Sequence, residues 1–553
     1  MGKAVVLAIN AKYIHSSLSV WLLAESVLQY SILQHDVFVV EANINQSDEH
    51  ITAQITVHQP DVVAVSAYIW NASKLPDIIK LVRKALPAVK FIFGGPEASH
   101  NAGYWIDCGA DFVLKGEGEH SFPALLDALE QGLSLENISG LCRKNDGRIR
   151  CNPEIKPNSN FVDPFTEDCL NAIKGKIAYI ETSRGCPFSC AFCLSGNDAV
   201  RFFPLDAVKE QIYKLSKTEV RIIKFVDRTF NCDAKRAYDL FEYIIGLDTN
   251  NRFHFEVAAD LFDERTLALL ADAPAGLMQF EAGLQSFFKP ALEASRRKTD
   301  LTKAVRNIRR LVQSGNMHIH VDLIAGLPYE TLYDFQNSFD QAYALNAHNL
   351  QLGFLKLLHG SEMRAVYQSI KCAKEPPYEI ISSPWMSAED LKTIKQAEDS
   401  LQNTYNKGRF LSAIQYVLNA SKLRPFTLYQ ALGKAVPKNR LPLEIYAERI
   451  YDFCKDLEGV DCDMLADCMI CDWLSATKGA NMPQFLRTSG RKQIAKLREK
   501  AEAMLGRRIR FNEAAVLKSG RGVFVDTDGY DKVSGLCKLY FEDMSCISTN
   551  CRI

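Results

Sequence analysis

Residues 183–196 read SRGCPFSCAFCLSG and place Cys186, Cys190 and Cys193 on one short stretch. Its surroundings decide the fold. Just upstream, IAYIETS (177–183) is an apolar run of strand length, and from Ile177 such runs alternate with helical patterns. The strand runs are IAYIETS, VRIIKFVD, RFHFEVAA, LMQFEAGL, MHIHVDLIAG and NLQLGFLKLL. PLDAVKEQIYKLSK, AKRAYDLFEYIIGL and LTKAVRNIRRLVQSG are among the helical segments between them. The alternation predicts an open, partial (β/α)6 barrel over residues 176–375, with its active site at the strand carboxyl ends. The cysteine loop follows the first of those strands.

Upstream, residues 1–131 carry a similar rhythm. KAVVLAI, DVFVVEA, DVVAVSAYI, KFIFGG and DFVLKGEG are strand-like, with helical patterns such as SSLSVWLLAESVLQYS and LPDIIKLVRKALP between them. This is an α/β pattern that predicts a doubly wound, Rossmann-like parallel sheet whose ligand sits beyond the strand carboxyl ends. NAKYIH, YIWN, GGPE and GEGEH fall there. Residues 132–175 are polar, rich in Pro and Gly, and read as a linker with a hairpin. Residues 376–553 read as mostly helical, closing on a small hairpin in RGVFVDTDGYDKVSGLCKLYFEDM, and are the candidate for capping the substrate.

A chain of 553 residues is too long for one ordinary domain, and 47% hydrophobic with 24% charged residues argues against disorder. The net charge of -1 offers no global attraction to nucleic acid or anionic membrane. The opening MGKAVVLAINAKYIH is broken at Asn10 and Lys12, too short to span a bilayer, and lacks a small-residue cleavage site. It reads as a first strand, so a cytoplasmic setting is expected. The sixteen cysteines are then expected as free or metal-bound thiols rather than disulfides.

Three thiolates on one loop suit three corners of a 4Fe-4S cubane and leave one iron open to an amine and a carboxylate. A zinc site would also want a fourth nearby ligand. Cys186-x3-Cys190-x2-Cys193, with Phe192 before the last cysteine, resembles the radical S-adenosylmethionine (radical SAM) superfamily. The resemblance implies a 4Fe-4S cluster on the three cysteines and S-adenosylmethionine on the open iron. FEAGLQSFFKPALEASRRKT is similar to the family's fourth-strand signature and points to Gln285, Ser286 and Arg297, the arginine meeting the methionine carboxylate as a fork. DLIAGLPYET (322–331) is similar to the fifth-strand signature. Asp227 and Glu256 fall at strand ends where relatives hold the amino acid or ribose parts of S-adenosylmethionine. A capping or ion-paired carboxylate fits both equally well.

A doubly wound domain ahead of this barrel resembles the cobalamin-binding subclass. Its marks are Ser66, Tyr68, Trp70 and Asn71 in SAYIWN, Gly94, Gly95, Pro96 and Glu97 in GGPEAS, and Gly116, Glu117, Gly118 and Glu119 in DFVLKGEGEHSF. Gly94 and Gly95 are expected to let backbone approach the nucleotide tail, Ser66 to hydrogen-bond it, and Tyr68 and Trp70 to cover the lower corrin face. Domains that ligate cobalt through histidine show Asp-x-His-x-x-Gly, whereas this chain has Asn10-Ala11-Lys12-Tyr13-Ile14-His15. Cobalamin is therefore expected base-off without a protein imidazole, with His15 the remaining candidate. The first loop lacks G-x-G-x-x-G, which disfavours a dinucleotide site. The methylthiotransferase relatives, whose first domain carries a three-cysteine cluster, are disfavoured because only Cys108 occurs there.

The resemblance implies a cobalamin-dependent radical SAM enzyme that modifies an unactivated carbon, first of all a C-methyltransferase. A non-methylating cyclase, oxidase or rearrangement enzyme, and a non-catalytic cobalamin or iron–sulfur sensor, are the alternatives. Expected partners are a small, natural-product-like substrate and a flavodoxin- or ferredoxin-type electron donor, with no membrane and nucleic acid disfavoured. Cys454, Cys462, Cys468 and Cys471 read either as a metal site or as core residues of a helix–turn–helix, and Cys537, Cys546 and Cys551 as weaker metal candidates. The basic run from Arg487 to Arg510 reads as a solvated helix face. His318 and His320 share one face of a barrel strand, as core histidines or a substrate base.

Overall fold

The first strand, β1 (Lys3–Asn10), buries seven residues in succession, because helices cover both faces of its sheet. Val5, Leu7 and Ile9 enter one core; Ala4, Val6 and Ala8 enter the core on the other side. The structure, a computed structural model, describes residues 2–155, 161–196, 198–437, 441–488, 491–542 and 546–547. It divides into a first unit (Met1–Glu256, Ser295–Arg297, Leu355–Ile381) and a second (Val257–Ala294, Lys298–Phe354, Ser382–Ile553).

In the first unit, β1 is joined by β2 (Asp36–Asn43), β3 (Val62–Ser66), β4 (Lys90–Gly94) and β5 (Phe112–Leu114), all parallel. β6 (Leu141–Asn145) and β7 (Arg148–Cys151) form the hairpin expected in this stretch and continue the same sheet, β6 antiparallel to β5 and β7 antiparallel to β6. The strand order is β2-β1-β3-β4-β5-β6-β7. The reversal of direction about β1 and β3 is the topological switch at which such sheets bind ligands. Cys142 and Cys151 are cross-strand partners, and their sulfurs are bonded at 1.99 Å. The expectation of thiols alone is thereby corrected. Antiparallel pairing brings the two residues face to face, a proximity that a nine-residue separation in sequence does not disclose.

The same unit holds β8 (Ile177–Ile180), a two-residue β9 (Ser183–Arg184), β10 (Arg201–Phe202), β11 (Ile222–Phe225) and most of β12 (Arg252–Val257). β11 pairs in parallel with β8 and β12. Helices Leu205–Ser216 and Ala234–Ile245 are the connections, each burying one apolar stripe. β9 and β10 pair antiparallel and close the base of the cysteine loop.

The second unit continues the β/α alternation with β13 (Met278–Gln285), β14 (His318–Ala325) and β15 (Asn349–Phe354), paired in parallel. Its connecting helices start where the sequence supplies caps. Asp263 accepts from Thr266 N, Asp300 from Lys303 N, and Thr331 with Asp334 makes a reciprocal capping box.

The rest of this unit is mostly helical: Ala388–Asn403, Leu411–Ser421, Pro425–Ala435, Leu443–Lys455, Cys462–Thr477 and Arg491–Leu505. Gly433 lets the third of these helices meet the backbone of the first, since a side chain there would collide with the Gln396 carbonyl. Buried Asp472 accepts from the Ser412 and Ala413 amides at 3.1 and 2.9 Å, capping a second helix from a distance. The expected terminal hairpin belongs to a four-stranded antiparallel sheet built from 514–516, 522–530, 537–541 and 546–547. Among the described residues no helix is long and apolar enough to cross a membrane.

Candidate active site

The cysteine loop starts from a turn that only glycine permits. Gly185 has φ +95°, and a side chain there would sit 2.5 Å from the Ala199 carbonyl. Backbone bonds then hold the loop from several directions. Cys186 N donates to Asp198 O at 3.1 Å, Ala191 N to Ser295 O at 2.9 Å, and Met363 N to Ala191 O at 2.8 Å.

Each of the three sulfurs has a polar neighbour. Cys186 Sγ lies 3.6 Å from Thr229 Oγ1, Cys193 Sγ accepts from Ser195 N at 3.4 Å, and Cys190 Sγ faces Arg297 Nη1 at 3.8 Å. Burial pushes the Cys190 thiol up, and the Arg297 charge opposes it. Arg297 also stacks over Phe188, 5.2 Å from its ring centre. Phe192 is half-buried.

Among the described residues, no three His, Cys, Asp or Glu side chains converge on a point for a single ion. Cubane ligands each take a different iron and need no such convergence. Three thiols on one loop, two of them facing an amide and a guanidinium donor, therefore fit an iron–sulfur cluster.

Arg184, two residues before Cys186, is a hub that the sequence reading did not single out. Its Nε and Nη2 donate to Glu181 Oε2 at 3.0 and 2.9 Å, its Nη1 to Glu117 Oε2 at 2.9 Å, and its Nη2 to Glu119 Oε1 at 2.5 Å. Arg201, from the other strand at the loop's base, also pairs with Glu117. Burial alone would raise the Glu119 carboxyl, but the Arg184 charge and hydrogen bond hold it below the usual range. For Glu181 burial prevails over Arg184 and the carboxyl is raised. Burial disfavours the Arg184 charge, yet Glu181 and Glu119 keep it protonated. Thus the GEGE carboxylates, read from the sequence as cobalamin contacts, grip the root of the cysteine loop. The signal was present in sequence only as an arginine adjoining the cysteine motif.

Asp227 is fully enclosed at the carboxyl end of β11. It accepts from Thr182 N at 3.0 Å, Thr182 Oγ1 at 2.7 Å and Ser183 Oγ at 2.6 Å, so these three bonds tie it to the chain leading into the loop. Burial raises its carboxyl despite these donors. Glu256 pairs with Lys224 at 3.4 Å. In the second unit, Gln285 has φ +71° at a register shift between β13 and β14. Ser286 is fully buried and donates to Glu330 Oε1 at 2.5 Å, with Ser338 3.2 Å away. Burial pushes Glu330 up to about 8.

At the carboxyl edge of the first sheet, Tyr68 and Trp70 stack with ring centres 4.2 Å apart and planes within 9°. Trp70 is 43% exposed, and Tyr13 in the loop after β1 is 77% exposed. Trp70 Nε1 and Asn71 Nδ2 both donate to Ile9 O, at 3.1 and 3.2 Å, so the aromatic pair is anchored to β1. Asn71 is buried and serves the turn, accepting from Tyr68 N. Ser66 lies 3.2 Å from Ser19 Oγ. Gly95 answers to the protein itself: φ is +88°, and a side chain would lie 2.7 Å from Ala67 O. At Gly94 the nearest neighbour of an added Cβ is Leu114 O at 3.8 Å, leaving the open approach that a bulky nucleotide tail requires. Pro96 starts the following short helix. Glu97 is buried there and accepts from Tyr378 OH at 2.5 Å; burial raises its carboxyl. Gly116 (φ +78°) and Gly118 sit where side chains would meet Glu154 and Leu23. An exposed aromatic shelf beside small residues at a strand carboxyl edge fits a planar corrin.

His15 Nδ1 lies 2.6 Å from Tyr179 OH on β8, and Ser16 Oγ donates to Ile177 O at 2.7 Å. Burial, then Lys12 and Lys224, lowers its pKa. The ring is thus engaged with β8.

Cys454 and Cys471 are buried within the helix–turn–helix read from sequence, and burial pushes the Cys454 thiol up to about 12. Cys537 is buried in the terminal sheet; the Cys546 side chain and Cys551 lie outside the described residues. His318 meets His320 edge-on and His348 at a tilt, with ring centres 4.7 and 4.8 Å away. In the basic run, Arg507 pairs with Glu513 and Asp526, and Lys500 with Glu542.

Residues 4–126 match the family described as B12 binding domain, 180–342 the Radical SAM superfamily, and 367–519 a family described as Protein of unknown function (DUF4080). The chain thus carries a B12-binding domain followed in sequence by a radical SAM domain. Those domains define its cofactors as a 4Fe-4S cluster, S-adenosylmethionine and cobalamin.

Among its relatives is the cobalamin-dependent radical SAM methyltransferase TokK of Streptomyces tokunonensis, 24% identical over 67% of this chain and 59% of that protein. The 2-(S-pantetheinyl)-carbapenam-3-carboxylate methyltransferase of Streptantibioticus cattleyicolor is 26% identical over 57% of this chain and 48% of its own length. The chain thus spans between about half and three fifths of these two relatives. The cobalamin-dependent S-adenosylmethionine radical enzyme OxsB, solved with aqua-cobalamin and S-adenosylmethionine bound, superposes with a TM-score of 0.59 at 14% identity. That alignment covers 92% of this chain and 81% of OxsB and speaks to the fold.

Proposed function

We propose that this chain is a cobalamin-dependent radical SAM methyltransferase that places a methyl group on an unactivated carbon of a small, natural-product-like molecule. It works in the cytoplasm with a flavodoxin- or ferredoxin-type electron donor. The observation that carries the reading is the first unit itself, in which a donor-rich three-cysteine loop is tied by Arg184 to the domain bearing an exposed aromatic shelf. Relatives of both the TokK and the carbapenam kind are named methyltransferases, which supports the choice among radical reactions.

When bound, the cluster supplies the electron for cleaving S-adenosylmethionine and cobalamin supplies the methyl carrier. The residues of the chain do the placing. Cys186, Cys190 and Cys193 hold the cluster. Arg297, flat and fork-shaped, receives the methionine carboxylate beside Cys190, with Glu256 a further candidate toward S-adenosylmethionine, whereas Ser286, fully buried against Glu330, serves its own unit. Asp227 fixes the entry to the loop by binding Thr182 and Ser183. Tyr68 and Trp70 offer the lower face of the corrin a flat apolar surface, and Ser66 and Gly94 line the way for its tail.

The test uses the anaerobically reconstituted chain, methyl-deuterated S-adenosylmethionine, a reductant and a metabolite extract. A product heavier by one deuterated methyl, absent with Cys190→Ala, supports the proposal. 5'-Deoxyadenosine without methyl incorporation would instead favour a non-methylating radical enzyme. Bound cofactors with no cleavage at all would favour a sensor.

A further inference from the structure

The two cofactor regions of the first unit meet through charge. Glu117, in the turn after β5, is the N-cap of helix Gly118–Gln131 and Glu119 lies in that helix's first turn, both at the carboxyl edge where a doubly wound domain holds its ligand. The same two carboxylates reach Arg184 and Arg201, which stand on the paired strands β9 and β10 at either end of the cysteine loop. Arg184 is 17% exposed at its side chain and Glu119 11%, so this is a largely dry contact. In such a place a fork meeting several carboxylates is directional, so the arginines and their partners fix one another's positions.

We infer that Arg184 and Arg201, held by Glu117 and Glu119, are positioning residues that couple cobalamin binding to the order of the cluster loop. The inference rests on the two-cofactor reading above. Cobalamin settling at the carboxyl edge restricts the turn after β5. The restricted carboxylates then fix both ends of the loop, so that its thiols are presented in one arrangement. Coupling is reciprocal: an assembled cluster tightens cobalamin by the same factor that cobalamin favours the ordered loop.

The test is hydrogen exchange of the loop amides (185–200) in the full-length chain before and after hydroxocobalamin, together with hydroxocobalamin affinity before and after cluster reconstitution. In the wild type, hydroxocobalamin slows loop exchange by about fivefold or more, and the cluster tightens hydroxocobalamin by a similar factor. In the double variant Glu117→Gln, Glu119→Gln, hydroxocobalamin still binds and both effects fall to less than half. Arg201→Gln, which removes only the more exposed pair, shows a partial loss and serves if the double variant does not fold. Hydroxocobalamin that binds the wild type without slowing the loop overturns the coupling and leaves the cofactor reading standing, as do effects of equal size in wild type and variants. A wild-type chain that binds no hydroxocobalamin overturns the cofactor reading, and the coupling with it.

Discussion

Arg297 places Nη1 3.8 Å from the sulfur of Cys190 while its guanidinium lies over Phe188. A residue beyond β13 thus stands at the middle cysteine of a loop more than a hundred positions earlier in the chain. Lysine would keep the charge but lose both the flat stacking and the fork. Arg297→Lys is expected to raise KM for S-adenosylmethionine by about tenfold or more, while iron and sulfide content stay at wild-type values. Unchanged KM in steady-state 5'-deoxyadenosine assays would remove Arg297 from the carboxylate-binding role.

Asp227 accepts three hydrogen bonds where no solvent reaches, all from Thr182 and Ser183. Asp227→Ala leaves those donors unsatisfied and is expected to cost roughly 3 kcal/mol of stability. Urea unfolding of the chain without cofactors measures this. A loss below about 1 kcal/mol would mean that water or a neighbour replaces the carboxylate.

Glu330 gives the second unit a pH dependence. Burial raises its pKa from 4.5 to about 8, so between those values the folded chain binds a proton that the unfolded chain has released. Its contribution is complete below about pH 4.5 and is lost as pH rises through about 8, by up to about 5 kcal/mol in total. Glu330→Gln keeps an acceptor for Ser286 and cannot ionise. It is expected to flatten this part of the pH–stability curve and to be the more stable form at pH 8 and above. Parallel curves for the two proteins would contradict the assignment.

Gly95→Ala puts a methyl group against the Ala67 carbonyl at a backbone angle unfavourable to alanine. A cost of about 1–3 kcal/mol is expected, with weaker hydroxocobalamin binding because the turn between β4 and its helix moves. Gly94→Ala, where the neighbouring space is open, is expected to spare stability and lower hydroxocobalamin affinity. Equal effects of the two substitutions on both readouts would contradict this division of roles.

The strand runs and the cysteine loop were legible because each rests on local pattern. Val5, Leu7 and Ile9 announce a buried strand by themselves, and three cysteines within eight residues announce a ligand set. Pairings made across the fold were hidden. Nothing in the spacing of Glu119 and Arg184 or of Glu97 and Tyr378 signals their meeting, because the distance between them closes only when whole elements pack. Cys142 and Cys151 became partners through hairpin register, which the polar surrounding sequence leaves weakly specified. Gly95 illustrates the reverse case: the motif was visible, but its demand comes from the Ala67 backbone.

The central claim is that this one chain holds a reducible cluster and cobalamin together. Its most direct test is anaerobic reconstitution with iron, sulfide and hydroxocobalamin, followed by S-adenosylmethionine and a strong reductant, with 5'-deoxyadenosine and bound cobalamin measured on the same sample. The account predicts one cobalamin per chain and 5'-deoxyadenosine that disappears in Cys190→Ala while the cobalamin stays bound. A chain that retains no cobalamin, or one whose 5'-deoxyadenosine survives Cys190→Ala, would contradict it.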